Sequence, residues 1–300
     1  MSTGSQAMGH LAASVTILVW GTTFISTKVL LEAYAPIDIL FTRFLLGFCV
    51  LSLVCRSRIR FRPWREERLY MAAGLTGVTL YFLFENIALT YTYASNVALV
   101  TALAPMLTAA AARLFLRTER VGAAFAAGFL CAAVGIGLIS FSSVSELHLN
   151  PLGDVLAGLG ALSWAVYSII TRKISVFGET ASEATRHIFL YGLLFMTVPM
   201  YVLDFHAGLD RLADPVNLAN LLFLGVGASA LCFSTWTYSV KVLGAVKTSV
   251  YIYANPVIAV ICAVLILGET ITPASAVGIA LTLAGLILSQ WGSHHGRSGQ

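Results

Sequence analysis

Apolar runs close to the roughly 20 residues that an α-helix needs to cross a bilayer recur along the whole chain, and nothing between them is long enough to build a soluble domain. Read by hydropathy, the spans fall at 11–31, 36–55, 69–90, 95–116, 121–140, 154–173, 185–203, 217–240, 246–267 and 274–291. Inside lipid each backbone polar group must be paired within its own segment, so spans of this length imply helices. The expected fold is therefore an all-α membrane protein of ten transmembrane helices. Composition agrees: 58% of the 300 residues are hydrophobic and 11% are charged, against about 25% charged in a soluble domain. The slight basic excess, 18 Lys and Arg against 14 Asp and Glu, implies no nucleic acid.

The position of the basic residues matters more than their number. Six arginines lie in "RSRIRFRPWREER", and Arg113, Arg117, Arg120, Arg172, Lys173, Arg186, Lys241, Lys247 and Arg297 all fall on the same set of alternate loops. The opposite set holds only Arg211, while Lys28 and Arg43 lie within spans. By the positive-inside rule this fifteen-to-one bias places both termini in the cytoplasm. No basic residue precedes the first apolar run, which reads as a span rather than a cleaved signal peptide. The five cysteines have no Cys-x-x-Cys spacing and read as free, packed thiols.

The chain also repeats itself. "WGTTFISTK" (20–28) echoes "WAVYSIITRK" (164–173), and "YTYASNVALVTALAP" echoes "VLGAVKTSVYIYANP", which sets Pro105 over Pro256. Gly128 and Gly135 lie over Gly278 and Gly285 at an offset of 150. Five spans repeated once give repeats 1–145 and 146–300, and because five is odd the second enters the membrane inverted, a form common in secondary transporters. Pro105 and Pro256 fall near the midplane of their spans, where each removes a backbone hydrogen bond and weakens the helix.

"WGTTFISTK", "RFLLG", "FENIALTYTYASNVALVTALAP", "YIYANPVIAVICAVLILGE" and "GIALTLAGLILS" together resemble the drug/metabolite transporter superfamily, specifically its ten-helix bacterial branch of two EamA-type repeats. The resemblance implies the bacterial cytoplasmic (inner) membrane, a cavity between two five-helix halves that opens alternately to each side, and no nucleotide site or other cofactor. Glu119 and Glu269 stand where family members commonly carry an acidic residue; they read as helix-end carboxylates.

Candidate contact residues follow from depth and helical spacing. Tyr81 and Glu85 are i and i+4 and share a face, with Asn86 about 100° round. Glu85 has two readings: a static ion pair with Arg43, which lies at similar depth, or a site whose protonation or direct contact with substrate is linked to transport. Trp20 and Trp164 are repeat mates near span centres, with Tyr167 three residues beyond Trp164, and Tyr251 precedes "ANP"; such aromatics could hold an apolar side chain or an amine. Trp236 lies nearer the cytoplasmic end and ranks lower. Thr23, Thr101 and Asn255, with the two prolines, complete the cavity set, and Asn96 suits a gate or cap. Spans five and ten, rich in Gly and Ala, read as close-packed scaffold.

The function these observations favour is secondary, non-ATP transport of small polar or amphipathic metabolites, with export of amino acids or related compounds foremost. A proton-coupled importer of such solutes and a channel-like facilitator are the alternatives. The expected partners are the lipid bilayer, a small-molecule substrate and protons as a coupling ion, in a monomer or weak dimer. An enzyme is disfavoured: His10, His148, His206, His294 and His295 read as loop or tail residues and His187 as a helix end, so no metal or nucleophile constellation is visible.

Overall fold

The computed structural model describes residues 3–91, 97, 100–116, 122–142, 151–258, 261 and 272–292. These are helical, with no strand among them. The α-helices are α1 (Thr3–Leu31), α2 (Pro36–Val54), α3 (Trp64–Ala73), α4 (Tyr81–Tyr91), α5 (Ala104–Phe115) and α6 (Ala123–Ser142), then α7 (Pro151–Ile174), α8 (Ala181–Val202), α9 (Pro215–Leu222), α10 (Cys232–Leu243), α11 (Ala245–Ser249) and α12 (Pro273–Gly292). Four stretches among the described residues are long and apolar enough to cross a membrane: Pro36–Val54, Trp64–Ala88, Pro151–Ile174 and Pro215–Leu243.

Proline sets half of the α-helix starts. Pro36, Pro151, Pro215 and Pro273 open their helices, Pro105 is second in α5, and Pro63 immediately precedes α3. A first-turn residue has no intrahelical partner for its N–H, so the missing donor costs nothing there. Side chains finish two of these ends: the Asp214 carboxylate accepts from the Val216 N–H at 2.8 Å, and Thr180 with Glu183 forms a capping box at α8. α1 begins eight residues earlier than the apolar run, which puts His10 inside a helix rather than ahead of it.

Two helices carry widened turns that the sequence did not announce. Gly74–Leu80 joins α3 to α4, and Phe223–Leu231 joins α9 to α10, each as a π-helical segment. Such segments are rare and often mark functional sites.

The chain forms two compact units. The first comprises Met1–Leu83 and Ile170–Leu243. In it α2 and α8 pack together, α2 lies on the Phe223–Leu231 segment, and α8 lies on Gly74–Leu80. Glycines permit the approach: a Cβ on Gly74 would lie 2.6 Å from the Gly192 nitrogen, and one on Gly225 would lie 2.6 Å from the Leu46 Cβ. Hydroxyls reinforce it, Thr79 donating to the Gly192 carbonyl at 3.0 Å and Arg43 Nε donating to Ser229 Oγ at 3.1 Å. α1 packs along α10, with Thr16 and Thr235 hydroxyls 2.6 Å apart. Polar residues such as Thr16, Thr185, Ser229 and Ser239 are fully buried while Leu53, Val198 and Tyr201 face outward, the arrangement expected where lipid is the solvent.

The second unit comprises Phe84–Ile169 and Gly244–Gln300. Its spine is α6 against α12 at backbone contact. A Cβ on Gly128 would meet the Gly285 carbonyl oxygen at 2.6 Å, and one on Gly135 would meet the Gly278 carbonyl oxygen at 2.6 Å. The glycine- and alanine-rich runs thus act as the close-packed scaffold expected of small-residue helices. Ala88, Val97 and Ala157 form a smaller apolar cluster.

Candidate functional site

In the first unit the structure gathers an aromatic cluster around Trp20. Its ring lies 5.2 Å from Trp236 and 5.4 Å edge-on from Phe233, and its indole N–H donates to the Ala228 carbonyl at 2.9 Å. Trp236 is fully buried in this cluster, although its depth by residue count ranks it low. Thr23 donates to the Trp20 carbonyl at 2.7 Å, the local bond a helical Thr makes. Arg43 is 6% exposed, and its guanidinium lies over the rings of Phe82 at 5.0 Å and Phe44 at 5.3 Å. Tyr81 opens α4 directly after the widened turn, with its ring 4.8 Å from Phe82.

The second unit holds the other candidates. Glu85 and Asn86 are half-buried on α4. Because Glu85 and Arg43 belong to different units, their expected pairing stands as a proposal for mutagenesis. Trp164 and Tyr167 are buried on α7, with ring centroids 5.1 Å apart. Asn96, Glu119 and Glu269 lie outside the described residues.

Both proline-bearing helices break at the proline, and the breaks come together. Ala102 and Leu103 form a turn before α5, so Thr101 and Pro105 lie on either side of an interruption. In the repeat mate α11 gives way to a 3₁₀ turn, Val250–Tyr253, ahead of Asn255 and Pro256. α5 packs against both α11 and this turn, which contains Tyr251. Three polar atoms here, Thr108 Oγ1, Tyr253 OH and Asn255 Oδ1, are buried with no hydrogen-bond partner among the described residues. Such groups ordinarily find a partner, so these are the atoms best placed to receive a polar ligand.

A polar network escaped the sequence reading. On the first unit Glu67 and His187, 6% and 2% exposed, meet at 2.8 Å between Oε1 and Nε2. The same carboxylate accepts from Tyr191 OH at 2.6 Å and from the Arg62 N–H at 2.7 Å. Tyr70 stacks on the His187 ring at 4.2 Å and donates to Glu179 at 2.8 Å. Its one sequence signal is local: Glu67 with Tyr70, and His187 with Tyr191, at i+3 and i+4 on one face of each helix.

Comparison with known proteins places the chain in a family. The sequence matches the EamA-like transporter family twice, over residues 7–141 and 151–291. The chain belongs to that family, whose members are transporters and not enzymes. An uncharacterized transporter of Archaeoglobus fulgidus is 28% identical over 95% of this chain and 98% of its own. A "probable terminal-alkyne amino-acid exporter" of Streptantibioticus cattleyicolor is 27% identical over 92% of this chain and 91% of its own. A "probable amino-acid metabolite efflux pump" of Salmonella typhimurium is 25% identical over 96% of each. A solved protein structure shares the fold with a TM-score of 0.79 over 99% of this chain and 100% of its own, at 21% sequence identity.

Proposed function

We propose that this membrane transporter exports amino acids or related small amphipathic metabolites across the bacterial inner membrane by alternating access. Its architecture on this reading is ten spans in two inverted five-helix repeats, 1–145 and 146–300, with both termini cytoplasmic. The observation that carries the reading is the meeting of the two interrupted helices at Pro105 and Pro256. Beside these breaks a hydroxyl, a phenol and an amide, on Thr108, Tyr253 and Asn255, are buried with no hydrogen-bond partner among the described residues. Discontinuous helices at matched positions of two repeats are where secondary transporters bind substrate. The crossed glycine contacts, Gly128 to Gly285 and Gly135 to Gly278, support the inverted relation, since each glycine meets the repeat mate of the other glycine on its own helix. Names of the Streptantibioticus and Salmonella relatives support the substrate class. Few fixed charges among the candidates favour zwitterions over phosphorylated sugars, which call for paired Lys or Arg.

Purified protein in liposomes, loaded with unlabelled amino acid, should exchange it for labelled amino acid saturably and without ATP. Linear, unsaturable flux would replace this reading with a facilitator. Repeating the exchange with Glu85→Gln under an imposed pH gradient separates coupling from structure: lost pH dependence at normal stability supports protons as the coupling ion. Thermal destabilisation rescued by also neutralising Arg43 supports the static pair.

A further inference from the structure

The first unit holds a cavity of about 400 Å³ at its arginine-rich end, between the loop after α2 and the start of α8. Its charged lining comprises Arg58, Arg60, Arg62, Arg186, Glu179 and Glu183. Both carboxylates are already committed. Glu179 accepts from Arg62 Nε and Nη2 at 3.2 and 3.1 Å and from Tyr70 OH at 2.8 Å. Glu183 accepts from the Ser57 hydroxyl and from the Thr180 N–H and hydroxyl at 2.9 and 2.8 Å. The Ser57 and Thr180 hydrogen bonds, with the charge of Arg186, hold the Glu183 carboxyl below its ordinary range despite partial burial. Arg62 spends its remaining capacity on Glu66 and the Phe177 carbonyl.

Three guanidiniums are left over. Arg58 and Arg60 have no carboxylate within ion-pair distance among the described residues. Arg186 is 5% exposed and, among the described residues, donates only to neutral acceptors, the carbonyls of Cys55 at 3.0 Å and Ser57 at 2.8 Å. Its Nε is buried with no hydrogen-bond partner among the described residues. Membrane topology explains arginines in the loop, but not why Arg186, on α8, is buried beside a cavity with no carboxylate in ion-pair contact among the described residues and only the longer-range charge of Glu183 opposite it, an arrangement that a further anion would complete.

We infer that this cavity binds a phosphate group, held by the forks of Arg58 and Arg60 with Arg186 supplying buried positive charge. Guanidinium forks match phosphate oxygens in pairs, and three cations outside any ion pair among the described residues suit a phosphate better than a single carboxylate. The phosphate could belong to an anionic lipid headgroup or to a small soluble molecule, and the chemistry of the site is the same for both. The site lies wholly within the first unit, apart from the proline breaks, and does not depend on the export reading.

The test is thermal unfolding of the full-length protein. One arm titrates inorganic phosphate in neutral detergent at constant ionic strength, with chloride as the matched salt. The other compares nanodiscs of phosphatidylcholine alone with nanodiscs that also contain phosphatidylglycerol. A saturable rise in melting temperature is expected in at least one arm: with phosphate it identifies a soluble ligand, and with phosphatidylglycerol alone a headgroup. The variant carrying Arg58→Gln and Arg60→Gln, both surface changes, should lose the rise or weaken apparent affinity at least tenfold. Arg186→Lys should fold, keep the charge and still weaken binding. No saturable rise in either arm, an equal rise with chloride, or an undiminished rise in the double variant overturns the proposal.

Discussion

The two units hold themselves together by different means. The first relies on side chains: tilted and edge-on aromatics around Trp20 and Phe44, a guanidinium over two rings, and a carboxylate at Glu67 serving three donors. The second relies on the absence of side chains, with α6 and α12 meeting backbone to backbone at four glycines. A side-chain lattice can be retuned one residue at a time, whereas a glycine seam tolerates almost nothing. The second unit also carries both proline breaks, so its most rigid seam and its most weakened helices belong to one body.

The largest loss should come from the first unit's lattice. Glu67→Ala strands Tyr191 OH, His187 and the Arg62 N–H, and each buried donor left unsatisfied costs about 1–3 kcal/mol; denaturant unfolding measures the sum. In the second unit Gly135→Ala forces apart helices whose carbonyl lies 2.6 Å from the new Cβ, an overpacking loss of about 1–3 kcal/mol. Gly158→Ala is its control, since the nearest atom there is 3.9 Å away; equal losses at both positions would remove the distinction between seam and surface. Asn255→Ala should leave melting nearly unchanged yet raise the half-saturating substrate concentration about tenfold, the equivalent of one hydrogen bond of about 1.4 kcal/mol. The smallest effect belongs to Glu183→Gln. Glu183 has a lowered folded value, so its contribution is present above the ordinary 4.5 and fades as pH falls through the lowered one. Wild-type and variant melting curves should differ near neutrality and converge in acid.

What the sequence made legible was whatever repeats or breaks a pattern. The glycines at an offset of 150 and the Gly/Ala runs pointed to a tight seam, and Pro105 and Pro256 pointed to interrupted helices. Hidden features are those without a local signature. "GLTGVTL" and "FLGVGASAL" look like ordinary apolar helix, so neither widened turn could be read. Glu67 and His187 are 120 positions apart, and only the packing of α3 on α8 makes a loop-edge acid and a helix-end histidine into a buried pair.

The glycine seam also constrains how such a chain can change over generations. Gly128 faces the backbone at Gly285, and Gly135 faces that at Gly278, so each contact joins one repeat to the other. A larger residue in either copy is refused by main chain, which cannot be substituted away, rather than by a side chain, which can. At these four positions the duplicated halves cannot drift independently: whatever else the second copy has altered since duplication, the seam obliges both to stay small together.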